Sequence, residues 1–305
     1  MARSRIYGVG VTVASMLTLA ACGDSTSTSS GGPASQAAVA TPTPVATCVS
    51  GSVSADGSSA IKALIQKAAD NYQAKCSGAT ITVAATNSST GVTKASSGAV
   101  DIGDSDIPAG LVQGVDASTI VDHPVAIVLF TVAVNPAAGV TNLSSQQLKD
   151  IYSGKDTNWS QVGGASLPIS VFERTAGSGT RFTFDKDIMQ GVDETATPAA
   201  VINTTQSVVQ SMSTTPGGVA YLSASSVSSP LVAVSIDGTP PSGANVASGK
   251  YPFFSHEHCF TKAQPSVLTL SFLQYIQSST FQTGDLTTLK YLPLSTTTRK
   301  AAVDQ

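Results

Sequence analysis

Apolar residues recur at helical spacing in the stretch that follows Ser58 and Ser59. In a helix, the positions i, i+3, i+4, i+7, i+8 and i+11 lie on one face. Counted from Ile61, these positions hold only Ile61, Leu64, Ile65, Ala68, Ala69 and Tyr72, which are apolar or aromatic. This spacing is typical of an amphipathic helix with one buried side. A serine at the start is a favoured N-cap, so we predict a helix over 59–75 capped by Ser58 or Ser59.

Short apolar runs on both sides of this helix predict strands at 48–59, 79–86 and 99–106, and a long buried strand at 125–136. The stretch 87–98 predicts a second helix between two of them. Strands that alternate with helices in this order are typical of a parallel sheet covered by helices.

A second group of elements follows, with strands predicted at 167–174, 218–223 and 251–262 and helices at 142–154, 177–189, 204–215 and 266–279. The first of these helices has Ser144 and Gln147 at capping-box spacing and Gly154 as its stop. We find no internal repeat. This number of elements favours two α/β lobes, with ligands bound at the carboxyl ends of the strands.

The N-terminal 47 residues do not share this pattern. Arg3 and Arg5 precede an apolar run that is too short and too interrupted to span a membrane, which indicates a secretory signal at 1–21. Leu19-Ala20-Ala21-Cys22 resembles the bacterial lipobox, so Cys22 is expected to be lipidated and to anchor the chain; ordinary cleavage that leaves a free thiol is the alternative. Residues 22–47 are rich in Ser, Thr and Pro and predict a disordered tether.

Three further cysteines remain at positions 48, 76 and 259. Exported chains are oxidised, so an odd number implies one disulfide and one unpaired thiol. Spacing and element order favour the pair Cys48–Cys76.

Composition narrows the classes of function. Of the 305 residues 41% are hydrophobic and 11% charged, so the chain is not of the disordered class, and its formal net charge is −3. Lys and Arg form no block, so a nucleic-acid partner is not expected. A bound anion would have to be held by a local arrangement.

The stretch Arg174-Thr-Ala-Gly-Ser-Gly-Thr-Arg181 has such an arrangement. Gly177 and Gly179 allow a tight turn, and the predicted helix that follows offers its first N–H groups. Arg174 can present a bidentate fork to an oxyanion. An ordinary capped helix with a surface arginine would have the same sequence, so this motif alone does not distinguish an anion site from a helix without a ligand.

Three more predicted strand-to-helix turns carry small hydroxyl residues, at 57–59, 87–91 and 103–106. Each turn taken alone favours an ordinary capped helix without a ligand. In a parallel sheet these turns share one edge, and four of them together favour a common ligand.

These motifs resemble the phosphate-binding lipoproteins of bacterial ABC phosphate importers, the PstS-like family. The resemblance covers about Val49 to Leu294 and rests on "IYSGKDTNWSQVGG" and "RxxxGSGT", with support from "SSTGVTKASSGAVDIGDSD", "PGGVAYLS" and "GKYPFF". It implies a two-lobed periplasmic-binding-protein fold of class II type. It also implies that 48–134 and 239–305 form lobe I and 135–238 form lobe II.

By the same resemblance the protein is not an enzyme. It would be a monomer without cofactor or metal that captures inorganic phosphate on the extracytoplasmic face of the membrane and delivers it to an ABC permease. Carried over position by position, the phosphate contacts fall on Ser59, Ala60, Ser88, Asp106, Arg174, Ser178, Gly179 and Thr180.

The sequence departs from the family pattern at several points. Asn87 and Ser89 replace glycines that often flank the serine between them, and His256 replaces an arginine. Ala176 replaces an acid found in many members, so nothing in this motif restrains Arg174.

Rival functions have weaker support. The serine of Ala176-Gly177-Ser178-Gly179-Thr180 is not in a G-x-S-x-G motif, and no motif places a base beside it, which disfavours a phosphate-ester hydrolase. His256, His258 and Cys259 are all metal-ligand types, but alternation along a strand would put Cys259 on the opposite face from His256. A binding protein or sensor for another tetrahedral oxyanion remains open.

Overall fold

The computed structural model describes residues 48–195 and 197–304. The predicted signal, the lipidation site Cys22 and the tether lie outside the described residues. Among the described residues no helix has both the length and the apolar character needed to cross a bilayer.

Eleven strands are present in the described part of the chain. They are β1 Gly51–Gly57, β2 Ala79–Val83, β3 Ile102–Ser105, β4 Ile120–Val134, β5 Asn142–Leu143, β6 Ser170–Arg174, β7 Ala200–Ile202, β8 Gly218–Ser223, β9 Val232–Ala233, β10 Ser235–Ile236 and β11 Phe254–Lys262. The large sheet has the order β2-β1-β3-β11-β4-β8-β6-β7, with β9 beside β4; β10 and β5 form a separate pair.

Strand direction follows the prediction only in part. β1 runs parallel to β2 and β3, and β6 runs parallel to β7 and β8. β11 and β4 are antiparallel to each other and to the strands beside them, which the alternation of strands and helices did not predict. β4 connects the two halves of the sheet, since it pairs with β11 up to Leu129 and with β8 from Phe130 onward.

Nine α-helices are present in the described ranges: α1 Lys62–Lys75, α2 Ser88–Ser97, α3 Ser145–Tyr152, α4 Gly179–Phe184, α5 Thr205–Ser213, α6 Gly243–Ala247, α7 Val267–Gln277, α8 Ser279–Thr283 and α9 Asp285–Thr288. A π-helical turn, Asp185–Met189, continues α4, and a short 3-10 turn, Ala302–Asp304, lies near the C-terminus. The predicted capping box of α3 is formed by Ser144 and Gln147.

The first helix buries the predicted face, including Leu64, Ile65 and Tyr72, and the Tyr72 ring meets Phe272 of α7 edge-on at 5.8 Å. Its predicted N-cap was wrong. The helix begins at Lys62 behind Ile61, which makes no side-chain cap bond. Ser58 and Ser59 lie before the helix because their hydroxyls bond to Asp106 and Thr205 instead.

Cys48 and Cys76 form the predicted disulfide, and Cys259 is a buried free thiol. Cys48 precedes β1 and Cys76 follows α1, so the bond lies at the end of β1 away from Gly57. It therefore closes the first β-α unit at the edge of the sheet opposite the four turns.

Candidate anion-binding site

The four turns singled out in the sequence meet in one place. Three lie at or after the carboxyl ends of β1, β2 and β3, and the fourth leads from β6 into α4. The stretch 103–106 was predicted to lead into a helix, but it ends β3 and is followed by a 3-10 turn, Ala109–Leu111. All eight predicted contact positions are buried there. The convergence expected from the parallel strands is present on both sides of the site.

Backbone and side chains are packed closely at Gly179. A Cβ atom at this position would lie 2.5 Å from the Ser88 Oγ and 2.6 Å from the Asp106 Cβ. No real Cβ tolerates such distances, so only glycine lets the start of α4 approach the turns after β2 and β3.

Arg174 is the cation of the site. Its Nε donates to the Ile202 carbonyl at 3.1 Å, and its Nη2 donates to the Asn203 carbonyl at 2.5 Å and to the Ser59 Oγ at 3.2 Å. Its Nη1 is buried and has no hydrogen-bond partner among the described residues. The guanidinium is thus fixed along one edge and has donors left for a ligand.

The restraint on Arg174 comes from a segment that the sequence analysis missed. Residues 202 and 203 hold the guanidinium, and Tyr221 Oη accepts from the Arg174 peptide N–H at 3.1 Å. Burial lowers the pKa of Arg174, and the opposing charge of Asp106 acts to raise it. An arginine so fixed is a preorganised donor for an oxyanion.

Asp106 is the anion of the site, and hydroxyls bond both of its carboxylate oxygens. The Ser58 Oγ donates to Oδ1, and the Thr180 Oγ1 donates to Oδ2 at 3.0 Å. Its peptide N–H donates to the Ser88 Oγ at 3.2 Å. Asp106 therefore connects predicted contact positions from both sides of the site.

A further set of contacts joins the turns across the site. The Thr205 N–H donates to the Ser59 Oγ at 3.0 Å, and the Ser89 N–H donates to the Gly177 carbonyl at 3.1 Å. The Asn87 side chain donates to Asn203 Oδ1 at 3.1 Å. The sequence does contain a sign of the role of Thr205, because Thr204 and Thr205 are hydroxyl residues at the start of a predicted helix. The strand before them, β7, was not predicted, so this turn was not grouped with the other four.

Behind Arg174 lies a second layer of charged side chains, partly buried, around Arg181. The Arg181 Nη1 donates to the Arg174 carbonyl at 2.6 Å, and its Nη2 lies 2.5 Å from Glu194 Oε2. Burial raises the pKa of Glu194 to about 8, against the effects of Tyr221 and Arg181. This layer supports the backbone of Arg174.

The histidines of β11 are not arranged as a metal centre. His256 and His258 both face Asp304, and His258 also bonds Asp122. The Cys259 Sγ lies 3.3 Å from Asp104 Oδ1. Within the described ranges no cluster of three or more ligand-type side chains is suited to a metal ion.

Known proteins with similar sequences decide the family. A family model described as a PBP superfamily domain matches residues 34–280. The phosphate-binding protein PstS of Bacillus subtilis (strain 168) is 39% identical over 249 residues, which are 81% of this chain and 82% of that protein. The chain belongs to the PstS family. The Bacillus subtilis relative is named as a binding protein, not as an enzyme.

Solved structures confirm the fold class. A Clostridium perfringens protein assigned as a phosphate ABC transporter substrate-binding protein and solved with bound phosphate superposes with a TM-score of 0.74 at 24% identity, over 80% of this chain and all of that one. An ABC-type phosphate transport receptor from Vibrio cholerae gives 0.63 at 24% identity, over 79% and 99%. The chain has the predicted α/β, two-lobed periplasmic-binding-protein fold.

Proposed function

We propose that this protein captures inorganic phosphate and delivers it to an ABC permease. The proposal rests on two buried groups of opposite charge in one site. Arg174 is held along one edge of its guanidinium, and its Nη1 has no hydrogen-bond partner among the described residues. The Asp106 carboxylate accepts hydrogen bonds from hydroxyls. Membership of the PstS family supports the same ligand.

The two charged groups suit a protonated oxyanion. Phosphate near neutral pH is a mixture of mono- and dianion, with a second pKa of about 6 to 7, so each form keeps at least one P–OH. Arg174 would donate to its charged oxygens, and Asp106 would accept the P–OH hydrogen. Ser59, Ala60, Ser88, Ser178, Gly179 and Thr180 would supply the remaining hydroxyl and N–H contacts.

We propose lobe I at 48–134 and 239–305 and lobe II at 135–238, closing over the anion. The contacts of Ser59 with Thr205 and of Ser89 with Gly177 then run between the lobes and support a closed form. In the binding-protein mechanism the closed form is the one that a permease recognises.

We further propose that the protein is a monomer held on the extracytoplasmic face of the membrane. Residues 1–21 would be removed as a signal peptide, and Cys22 would carry the fatty acyl groups. Two or more chains make such anchoring stable. Replacement of Cys22 by Ala should release the protein into the medium, whereas retention of that variant in the membrane fraction would contradict the anchor.

Calorimetric titration of the purified protein with phosphate, sulfate and arsenate tests the ligand. We expect one phosphate per chain and no heat with sulfate. A phosphomonoester substrate assay on the same sample is expected to show no turnover. Tighter binding of another oxyanion would replace phosphate as the ligand, and turnover abolished by Ser178→Ala would establish a hydrolase instead.

A further inference from the structure

Glu257 is a buried acid beside the proposed phosphate site that no predicted contact includes. It lies in β11, where its neighbour His258 is paired with Ser105 of β3. Glu257 therefore lies beside Asp106, the residue that follows β3, although β11 has a bulge against β4 between Glu257 and His258. The Asp106 carbonyl accepts from the hydroxyl of Ser255, two residues before Glu257, which places this part of β11 against Asp106. Its side chain has no exposed surface.

The carboxyl group of Glu257 has an unusual set of neighbours. No N–H or O–H donor of the described residues reaches either of its oxygens. Among the charged side chains, the carboxyl of Asp106 has the strongest effect on it. Two ionised carboxylates both accept hydrogen bonds and repel each other, so two buried ones side by side are favourable only if one of them carries a proton.

The hydrogen-bond donors near each carboxyl group indicate which of the two carries the proton. Asp106 already accepts from the hydroxyls of Ser58 and Thr180, and such bonds favour the charged form of a carboxylate. Glu257 has no comparable donor. Burial raises the pKa of Glu257 well above its usual value, and the charges of Asp106 and Asp104 raise it further.

We propose that Glu257 is held protonated and donates its proton to Asp106, so that Glu257 adds no negative charge to the anion site and orients the Asp106 carboxylate toward the ligand. Glu257 is thus a positioning residue for phosphate. The link to phosphate rests on the proposed function, since Asp106 is the proposed acceptor of the P–OH hydrogen.

The other charged groups around β11 do not supply a counter-charge to Glu257. The titratable groups that act on it or feel its charge are Asp104, Asp106, Cys259 and Tyr291. Several groups in or near β11 that can carry a positive charge are already paired with other acids: Lys94 with Asp56, His256 with Asp304, and His258 with Asp122 and Asp304. An ionised Glu257 would add an uncompensated charge next to the ligand.

The state of Glu257 can be observed directly, because the sequence contains only three glutamates, at positions 173, 194 and 257. Protein labelled with δ-¹³C-glutamate should give three carboxyl NMR signals, and the one missing from Glu257→Gln belongs to Glu257. We expect its chemical shift to be that of a protonated acid at pH 7. The shift of an ionised carboxylate at pH 7 would overturn the inference, whether or not phosphate binds.

Phosphate titrations from pH 6 to 9.5 test the role of this proton. Glutamine copies the protonated acid, so Glu257→Gln should bind phosphate within about threefold of wild type at pH 7. Above the pH at which the NMR signal of Glu257 moves to that of a carboxylate, wild type should bind phosphate more weakly than the variant by about tenfold or more, through repulsion between like charges at close range. The protonation of phosphate changes with pH in the same way for both proteins, so it cancels in the ratio of their affinities.

Asp187→Asn is the matched control, since Asp187 is a buried acid whose pKa is raised by burial to about 7 but which is not a predicted contact. The phosphate affinity of Asp187→Asn should change with pH in the same way as that of wild type. A constant ratio of the affinities of wild type and Glu257→Gln on both sides of the pH at which NMR shows Glu257 to ionise, or tenfold tighter binding by the variant at pH 7, would contradict the positioning role. Failure of wild type to bind phosphate at any pH would overturn the proposed function and with it that role, while the NMR result would still decide the protonation of Glu257.

Discussion

The Arg174 guanidinium donates to the Ser59 hydroxyl at 3.2 Å, although 115 residues separate the two in the sequence. Ser59 also accepts from the Thr205 N–H at 3.0 Å. A hydroxyl oxygen that accepts two N–H bonds has its own hydrogen left to donate. Ser59 is thereby fixed as a donor, either to Thr205 Oγ1 at 3.2 Å or to a bound anion.

Removal of the Arg174 guanidinium should abolish tight phosphate binding. Arg174→Ala leaves the Asp106 carboxylate facing the ligand without a cation, and truncation of one partner of a buried charge pair costs about 2–5 kcal/mol, or roughly 30- to several-thousandfold in affinity. Calorimetric titration measures the loss, and circular dichroism checks the fold. Arg299→Ala, which removes an arginine that lies over the Phe254 ring at 5.9 Å from its centroid, is the control. Near wild-type affinity of Arg174→Ala would refute the site.

Asp106 should make the site prefer phosphate to sulfate. Sulfate has no proton to give at neutral pH, so its oxygen would face the carboxylate with like charges in contact. Leaving a buried charge unpaired costs several kcal/mol, which corresponds to a discrimination of at least about a few hundredfold. We expect phosphate binding from about pH 5 to 8, with sulfate rejected throughout.

Asp106→Asn tests this role, because the amide can donate as well as accept. The variant should weaken the rejection of sulfate more than it weakens phosphate binding, as measured by competition titration. Equal affinity of the wild-type protein for sulfate and phosphate would show that Asp106 does not set the selectivity.

Reduction of the disulfide should destabilise the fold. The bond joins cysteines 28 residues apart, and the chain-entropy treatment gives about 3–4 kcal/mol for a loop of this size. Denaturant unfolding with and without reducing agent measures the difference. A Cys48→Ser/Cys76→Ser double variant should be insensitive to the reductant, and an equal response in that variant would assign the effect to another cause.

His258 should make stability depend on pH on the alkaline side. Burial alone would lower the pKa of His258, but its bonds to Asp122 and Asp304 outweigh this and raise the pKa to about 9. The folded state therefore binds the proton more tightly than the unfolded state, whose histidine pKa is about 6.5. The stabilisation is complete below about pH 6.5 and is lost as pH rises to about 9, on the order of 3 kcal/mol at most.

The difference between wild type and His258→Gln in the free energy of unfolding, measured from pH 6 to 9.5, isolates this histidine from the buried acids. It should shrink as pH rises. His123→Gln is the control, since burial lowers the pKa of His123 and its contribution has the opposite sign. A difference that does not change with pH would mean that His258 is not charged in the folded protein.

The sequence by itself determined the local parts of this protein. Helical spacing identified the buried face of α1, and the residue types at 144 and 147 identified a capping box, because both depend on neighbours within a turn or two. The four hydroxyl-bearing turns were identified for a related reason, since each lies at the carboxyl end of a strand and its place at the sheet edge follows from parallel strands. Only the helix expected after 103–106 is replaced by a 3-10 turn.

Only the tertiary structure decided how these parts meet. The β4 strand is antiparallel to both neighbours and shared by the two halves of the sheet, and strand direction depends on chain crossings that leave no periodicity in the sequence. Ile202 and Asn203 hold Arg174 through backbone carbonyls, which any residue type provides, so no residue identity could mark them. Glu257 reads as an ordinary strand residue in "SHEHC". Its significance arises from burial and from the placement of β11 beside β3, because the proton affinity of a carboxyl depends on what surrounds it in space.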